Sequence, residues 1–187
     1  MSASLVLASA SPRRFALLRE AGIECEIHPA GLDEDALHTD LVSPSARAVA
    51  LALAKARTVA ALRTDTRVLG ADTVVVLDQE ILGKPKDAEH ALWMLSRLSG
   101  RAHEVITGVA LIEPESPVRT AFEATAVYFV RWPASAMIGY ARSSDPLDKA
   151  GAYGLQGFAG RFVSRIEGDP ANVIGLPVNV VRQLLNR

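Results

Sequence analysis

One cysteine, Cys25, stands in a chain of 187 residues, which excludes an internal disulfide framework and any zinc site built on several cysteines. Histidine is almost as thin, and His28, His38, His90 and His103 share no metal-ligand spacing. Long apolar runs are missing too, since no uncharged stretch approaches the ~20 residues that a membrane helix needs. The opening residues, Met1 to Ala8, carry no basic group ahead of their apolar run, and Arg13 and Arg14 follow it. That order is wrong for a secretory signal. A cytoplasmic protein with no membrane partner is expected. An excess of one charge is also lacking, because 20 Lys and Arg face 21 Asp and Glu. A binder of duplex nucleic acid normally carries a basic face, so no nucleic-acid polymer is expected as a partner.

What remains is an ordinary globular composition, 49% hydrophobic and 22% charged. At ~150 residues per domain the length predicts a single domain over 1–187. The pattern alternates. Leu5-Val6-Leu7 is a short apolar run closed by Ser9-Ala10-Ser11-Pro12, and it reads as a buried strand. Ser11 and Pro12 are cap and first-turn residues for a helix through Ala21, with Gly22 past its end. Ile23, Cys25 and Ile27 alternate with polar residues as a second strand would. Ser43-Pro44 starts a long Ala-rich helix to about Leu62, and Arg67 to Leu77 is a central strand interrupted at Asp72. Asp87 caps a helix to Leu98 that carries Trp93 and Met94 on its core face. Long strands follow over 103–112 and 119–132, then a short helix over 134–142 and a Gly-rich stretch over 150–160. A strand near 162–166 and a helix over 176–185 end the chain. Together these predict an α/β protein with a mixed central sheet flanked by helices.

In such sheets ligands bind beyond the carboxyl ends of strands, so the loops at 9–14 and 70–73 are the first candidates. Ser9, Ser11, Arg13 and Arg14 crowd the turn from a strand into a helix N-terminus, where unpaired N–H groups already attract anions. Arginine there opposes the helix dipole, and bidentate phosphate binding would offset that cost. Asp72, inside Val-Leu-Gly-Ala-Asp-Thr-Val-Val-Val, is too costly to bury without a partner, a metal or a cleft edge. It suits a general base or a Mg²⁺ ligand, and Gly70 permits close backbone approach just before it. Lys55 lies mid-helix among alanines, where a snorkelling lysine is the simple reading. Gly83-Lys84-Pro85 can present Lys84 to a phosphate, although it is not a P-loop. Asp33-Glu34-Asp35 is an acidic loop from which one carboxylate, Glu34, could help Asp72 hold a metal. Gln156, in the loop Gly151 to Gly157, has the donors and acceptor to read a base edge.

Taken in order, these segments resemble the Maf family of nucleoside triphosphate pyrophosphatases. The resemblance rests on Leu7-Ala8-Ser9-Ala10-Ser11-Pro12-Arg13-Arg14, Gly70-Ala71-Asp72-Thr73-Val74-Val75 and Gly83-Lys84-Pro85-Lys86-Asp87. It continues through Asp148-Lys149-Ala150-Gly151-Ala152-Tyr153-Gly154-Leu155-Gln156-Gly157 and Asn172-Val173-Ile174-Gly175-Leu176-Pro177. It implies two lobes around a nucleotide cleft and hydrolysis of the α–β phosphate bond with a divalent cation, Mg²⁺ or Mn²⁺. On it, Asp72 matches the catalytic acid-base position, and Ser9, Arg14, Lys55 and Lys84 match positions associated with phosphate binding. Arg13, Thr73 and Gln156 match the positions associated with substrate choice. That set resembles the branch acting on dTTP and UTP, ordinary or modified, in a house-cleaning role. The run Gly168-Asp169-Pro170-Ala171-Asn172 departs from the Gly-Ser-Tyr type common in the family. A homodimer is what the family suggests. The rival expectation is a nucleotide-binding regulator of cell division acting through protein partners, which would need the phosphate-binding arginines but no general base.

Overall fold

The computed structural model describes residues 4–33, 37 and 43–186. In order they form β1 (Leu5–Leu7), α1 (Pro12–Glu20), β2 (Glu26–Ile27), α2 (Pro44–Ala60), β3 (Arg67–Leu77), β4 (Glu80–Leu82) and α3 (Ala88–Leu98). Then come β5 (Ala102–Ile112), β6 (Arg119–Phe129), α4 (Ala134–Ala141), three short 3₁₀ turns, β7 (Val163–Glu167), α5 (Pro170–Ile174) and α6 (Val178–Leu185). The strands join in one mixed sheet of order β2-β1-β3-β5-β6-β7, with β4 pairing β3. β1 runs parallel to β2 and β3, while β4 and β7 pair antiparallel with their neighbours. The expected mixed α/β sheet flanked by helices is present.

The chain divides into two compact units, one of Met1–Thr73, Thr107–Glu123 and Gly175–Arg187, the other of Val74–Ile106 and Ala124–Ile174. The first is organised by the smallness of α2. Ala52, Ala56 and Val59 are fully buried against Val6, Val68 and Ala110. Glycines on the sheet admit the helix backbone. A Cβ on Gly70 would lie 2.0 Å from the Ala52 carbonyl oxygen, and one on Gly108 would lie 2.4 Å from the backbone of Ala48. An Ala-rich helix over Gly-bearing strands therefore sits closer than bulkier side chains allow, and it carries Lys55 down with it.

The second unit has a conventional apolar core of Leu77, Leu82, Met94, Leu95, Leu98, Val105, Val127, Phe129, Trp132 and Tyr153. Within it His103 is 4% exposed, its Nε2 lying 2.7 Å from the Tyr153 hydroxyl. Its ring packs edge-on to Phe129 and Tyr153. Burial pushes His103 down from 6.5 to about 4 and pushes the Tyr153 hydroxyl up. The unfolded chain then binds a proton that the folded one refuses, so this contribution is complete above pH ~6.5 and lost as pH falls towards ~4. A difference of about 2.5 pH units corresponds to about 3 kcal/mol. Chemical unfolding at pH 7 and pH 4.5 should show the parent losing more stability than His103→Gln. Parallel losses would remove His103 from the acid sensitivity.

Several elements differ from the sequence-based expectations. β3 continues through Asp72 without interruption. β2 is only two residues and exposed, an edge strand paired on one side alone with Val6 and Leu7 of β1. Trp93 is 43% exposed rather than in the core, with the Arg97 guanidinium 4.9 Å from its ring. One helical step of ~100° separates it from the buried Met94. β6 stops at Phe129, beyond which the Val130 N–H turns to the Phe162 carbonyl. β4 is a hairpin strand after Asp78 and Gln79, both at positive φ without the glycine that marks such a turn in sequence.

Candidate active site

β1 ends opposite Leu69, and the Ala8 N–H closes that pairing on the Leu69 carbonyl at 2.8 Å. β3 runs on, so Asp72 and Thr73 lie past the carboxyl end of β1, where the chain turns through Ser9 into α1. Ser11 is the N-cap by position, but its side chain makes no cap bond. Ser9 supplies the local acceptor instead. Its Oγ, 6% exposed as a residue, accepts from the Ser11 N–H at 3.2 Å and from Arg14 Nη1 at 3.1 Å. Arg14 also donates from Nε to the Gly175 carbonyl at 2.8 Å and from Nη2 to Thr73 Oγ1 at 3.1 Å. Thr73 Oγ1 in turn lies 2.9 Å from Thr107 Oγ1. Arg13, half-buried beside it in the first turn of α1, has interactions of its own.

Lys55 is not a snorkelling surface residue. It is 6% exposed, and its Nζ lies 2.6 Å from Asp72 Oδ1, Asp72 being 5% exposed. Side chains alternate along a strand. Gly70 and Asp72 meet α2, whereas Thr73 meets Arg14, so the ion pair and the arginine cluster form on opposite faces of β3. The structure thus gathers Ser9, Arg14 and Thr73 in one group and Lys55 with Asp72 in another. Sequence reasoning missed Thr107 and the Gly175 carbonyl. The first left a signal, a polar residue between Ile106 and Gly108 in an apolar strand. A backbone acceptor leaves none.

Lys84 and Gln156 belong to the second unit, and both are exposed. Their loops are tied together, since the Gly151 N–H donates to the Gly83 carbonyl at 3.0 Å. Gly151 takes φ +66°, and a Cβ there would meet Val75 Cγ1 at 2.9 Å. Lys149 Nζ reaches Asp148 Oδ1 at 2.7 Å and Asp145 Oδ1 at 3.1 Å, beneath Gly154. The loop bearing Gln156 is therefore built on a buttressed base rather than left as a slack glycine run.

Among the described residues, no three His, Cys, Asp or Glu side chains come together as a metal cage. Glu34, expected to assist Asp72, lies outside the described residues. Mg²⁺ commonly takes only one or two carboxylates and completes its shell with water and substrate phosphates. One buried aspartate fits an ion that arrives with a triphosphate. No helix among the described residues is long and apolar enough to cross a membrane.

The family model described as Maf-like protein matches residues 4–187. The chain belongs to the Maf family. A dTTP/UTP pyrophosphatase from Symbiobacterium thermophilum is 46% identical, the match covering 98% of this chain and 93% of that protein. Another, from Moorella thermoacetica, is 49% identical, covering 97% and 93%. Among solved structures, a HAM1 protein from Coxiella burnetii superposes with a TM-score of 0.53 at 17% identity, covering 100% of this chain and 98% of that one. A Ham1 protein from Staphylococcus aureus gives 0.50 at 13% identity, covering 98% of each. These two establish a shared fold with the Maf chain described above.

Proposed function

We propose that this Maf protein hydrolyses dTTP and UTP between the α- and β-phosphates, releasing the nucleoside monophosphate and pyrophosphate. The observation that carries the reading is the near-full-length similarity to relatives named dTTP/UTP pyrophosphatases. The Arg14 cluster and the buried Asp72 give it a chemistry. Those relatives' names support the hydrolase and not the cell-division regulator.

Asp72 takes the proton from a water whose oxygen bonds to the α-phosphorus, as the bond from that phosphorus to the bridging oxygen breaks. Lys55 donates to Oδ1 and orients the carboxylate, which keeps lone pairs on its oxygens for the water proton and for a cation. Ser9, Arg14 and Lys84 bind the β- and γ-phosphates and stabilise the charge that gathers on departing pyrophosphate. A divalent cation, Mg²⁺ or Mn²⁺, would be held by Asp72 and would neutralise phosphate charge. Gln156 pairs its amide with the O4 and N3–H edge that thymine and uracil share. The 5-methyl group separates the two bases by at most about 1–3 kcal/mol, less than a site built to pair a polar edge loses when that edge is absent. Thr73, committed to Arg14 and Thr107, orients the arginine on the phosphates rather than touching the base.

Purified protein incubated with dTTP, UTP and the other common nucleotides should release pyrophosphate from the first two. Orthophosphate as the product, or no turnover of either, would overturn the reading. Gln156→Glu, which loses both amide N–H donors, should lower kcat/KM for dTTP and UTP together by roughly tenfold. Unchanged rates on both would remove Gln156 from base recognition.

A further inference from the structure

Arg14 is held through N–H groups on all three of its nitrogens, by Ser9 Oγ, Thr73 Oγ1 and the Gly175 carbonyl. These acceptors differ in rigidity. The Gly175 carbonyl is main chain, at φ +131°, and Ser9 Oγ is fastened by the Ser11 N–H. Thr73 Oγ1 belongs to a hydroxyl whose hydrogen rotates, so its lone pairs face Arg14 only if something fixes that hydrogen. Two groups are within reach. Thr107 Oγ1 is at 2.9 Å and the Gly175 carbonyl is at 3.5 Å, the latter a marginal bond.

Thr107 is fully buried, between Ile106 and Gly108 of β5. A hydroxyl there costs free energy unless it is bonded. Its bond to Thr73 offsets that cost, but valine would fill the same space with no polar group to satisfy. Packing alone therefore does not explain threonine at this position. We propose that Thr107 is a positioning residue for phosphate binding, acting through Thr73 to hold the plane of the Arg14 guanidinium. Without the Thr107 hydroxyl, Thr73 turns towards the Gly175 carbonyl, the acceptor that Arg14 Nε uses. The Nη2 acceptor is then held only by a marginal bond and the Nε acceptor is shared, so the plane of Arg14 is less firmly fixed. Arginine binds phosphate through a planar fork, so orientation matters more here than for a lysine.

The inference rests on the phosphate-binding part of the proposed function, and binding of inorganic pyrophosphate tests it apart from hydrolysis. Calorimetric titration should show Thr107→Val binding pyrophosphate roughly tenfold more weakly than the parent, the size expected for one charge-assisted bond. Thr107→Ser, which keeps the hydroxyl, should restore affinity. In turnover of dTTP, kcat/KM should fall at least as much as pyrophosphate affinity, through KM and kcat together, because Arg14 both binds the phosphates and stabilises the leaving group. The double variant Thr73→Val, Thr107→Val should bind no more weakly than Thr73→Val alone, since both act on one bond. Should Thr107→Val not fold, Thr107→Ala removes the hydroxyl with less bulk and is read in the same way.

Parent affinity in the valine variant, failure of serine to restore it, or multiplying losses in the double variant would overturn the proposal. So would a parent that binds no pyrophosphate. A parent that binds pyrophosphate normally but leaves dTTP intact would instead overturn the hydrolase reading, with the role of Thr107 still decided by the titration.

Discussion

Asp72→Asn should reduce kcat for dTTP by about 10²–10⁴-fold, the range a general base supplies, with KM changed far less. Asparagine keeps the size of the side chain and can still accept from Lys55 Nζ, but it cannot take a proton from water. The variant has a second consequence, because Lys55 and Asp72 form a pair whose side chains are each only 8% exposed. Removing one charge from such a pair costs about 3–5 kcal/mol. Lost stability could imitate lost catalysis, so Lys55→Met, Asp72→Asn belongs in the same experiment. That double variant should regain part of the stability, because no buried charge is left unpaired, and regain no activity. Rates are best read well below the melting temperature of the weakest variant. Parent turnover by Asp72→Asn would refute the base assignment. Recovery of turnover in the double variant would show that the carboxylate serves only to neutralise Lys55.

That pair shows where sequence reading reached and where it stopped. Asp72 was legible because a carboxylate among valines is an energetic anomaly, and anomalies mark sites. Lys55 was less legible. A lysine in an Ala-rich helix has the same local pattern whether it snorkels or descends to the sheet. What decides the matter is Gly70 and Gly108, on strands distant in sequence, which let α2 approach close enough to bury it. The Ser9-Arg14 turn was legible from its charge at the wrong end of a helix. Of the acceptors that orient Arg14, Ser9 and Thr73 stand in legible motifs, but the Gly175 carbonyl leaves no trace in sequence, and the link from Thr107 to Thr73 exists only in the folded chain. The regular strands and helices followed from periodicity. The weak elements did not, because β2 is an edge strand with two paired residues and β4 follows a turn with no glycine. Trp93 went astray because adjacent helix positions face different surroundings, one step being enough to move a ring from the core to solvent.

Gly70→Ala should be among the most damaging single substitutions in the first unit, although it adds one methyl group. The new Cβ would lie 2.0 Å from the Ala52 carbonyl oxygen, 2.9 Å from the Ala56 nitrogen and 3.0 Å from the Ala56 Cβ. Ordinary contact between such atoms needs about 3.5 Å. The first two obstacles are backbone, so no rotamer change relieves them, and α2 must shift by more than an ångström. Overpacking a tight core costs about 1–3 kcal/mol, and backbone overlap belongs at or above the top of that range. For a chain of this length about 3 kcal/mol lowers the melting temperature by roughly 10 °C. The shift also lifts Lys55, which α2 carries, away from Asp72, so turnover of dTTP should fall even at temperatures where the variant is folded. Gly139→Ala is the matched control. It lies inside α4 with nothing within 4 Å of the added Cβ, and it should raise stability by about 0.5–1 kcal/mol without changing turnover. A Gly70→Ala protein that melts with the parent and keeps its activity would show that α2 does not rest on the backbone of β3, and that the burial of Lys55 has another cause.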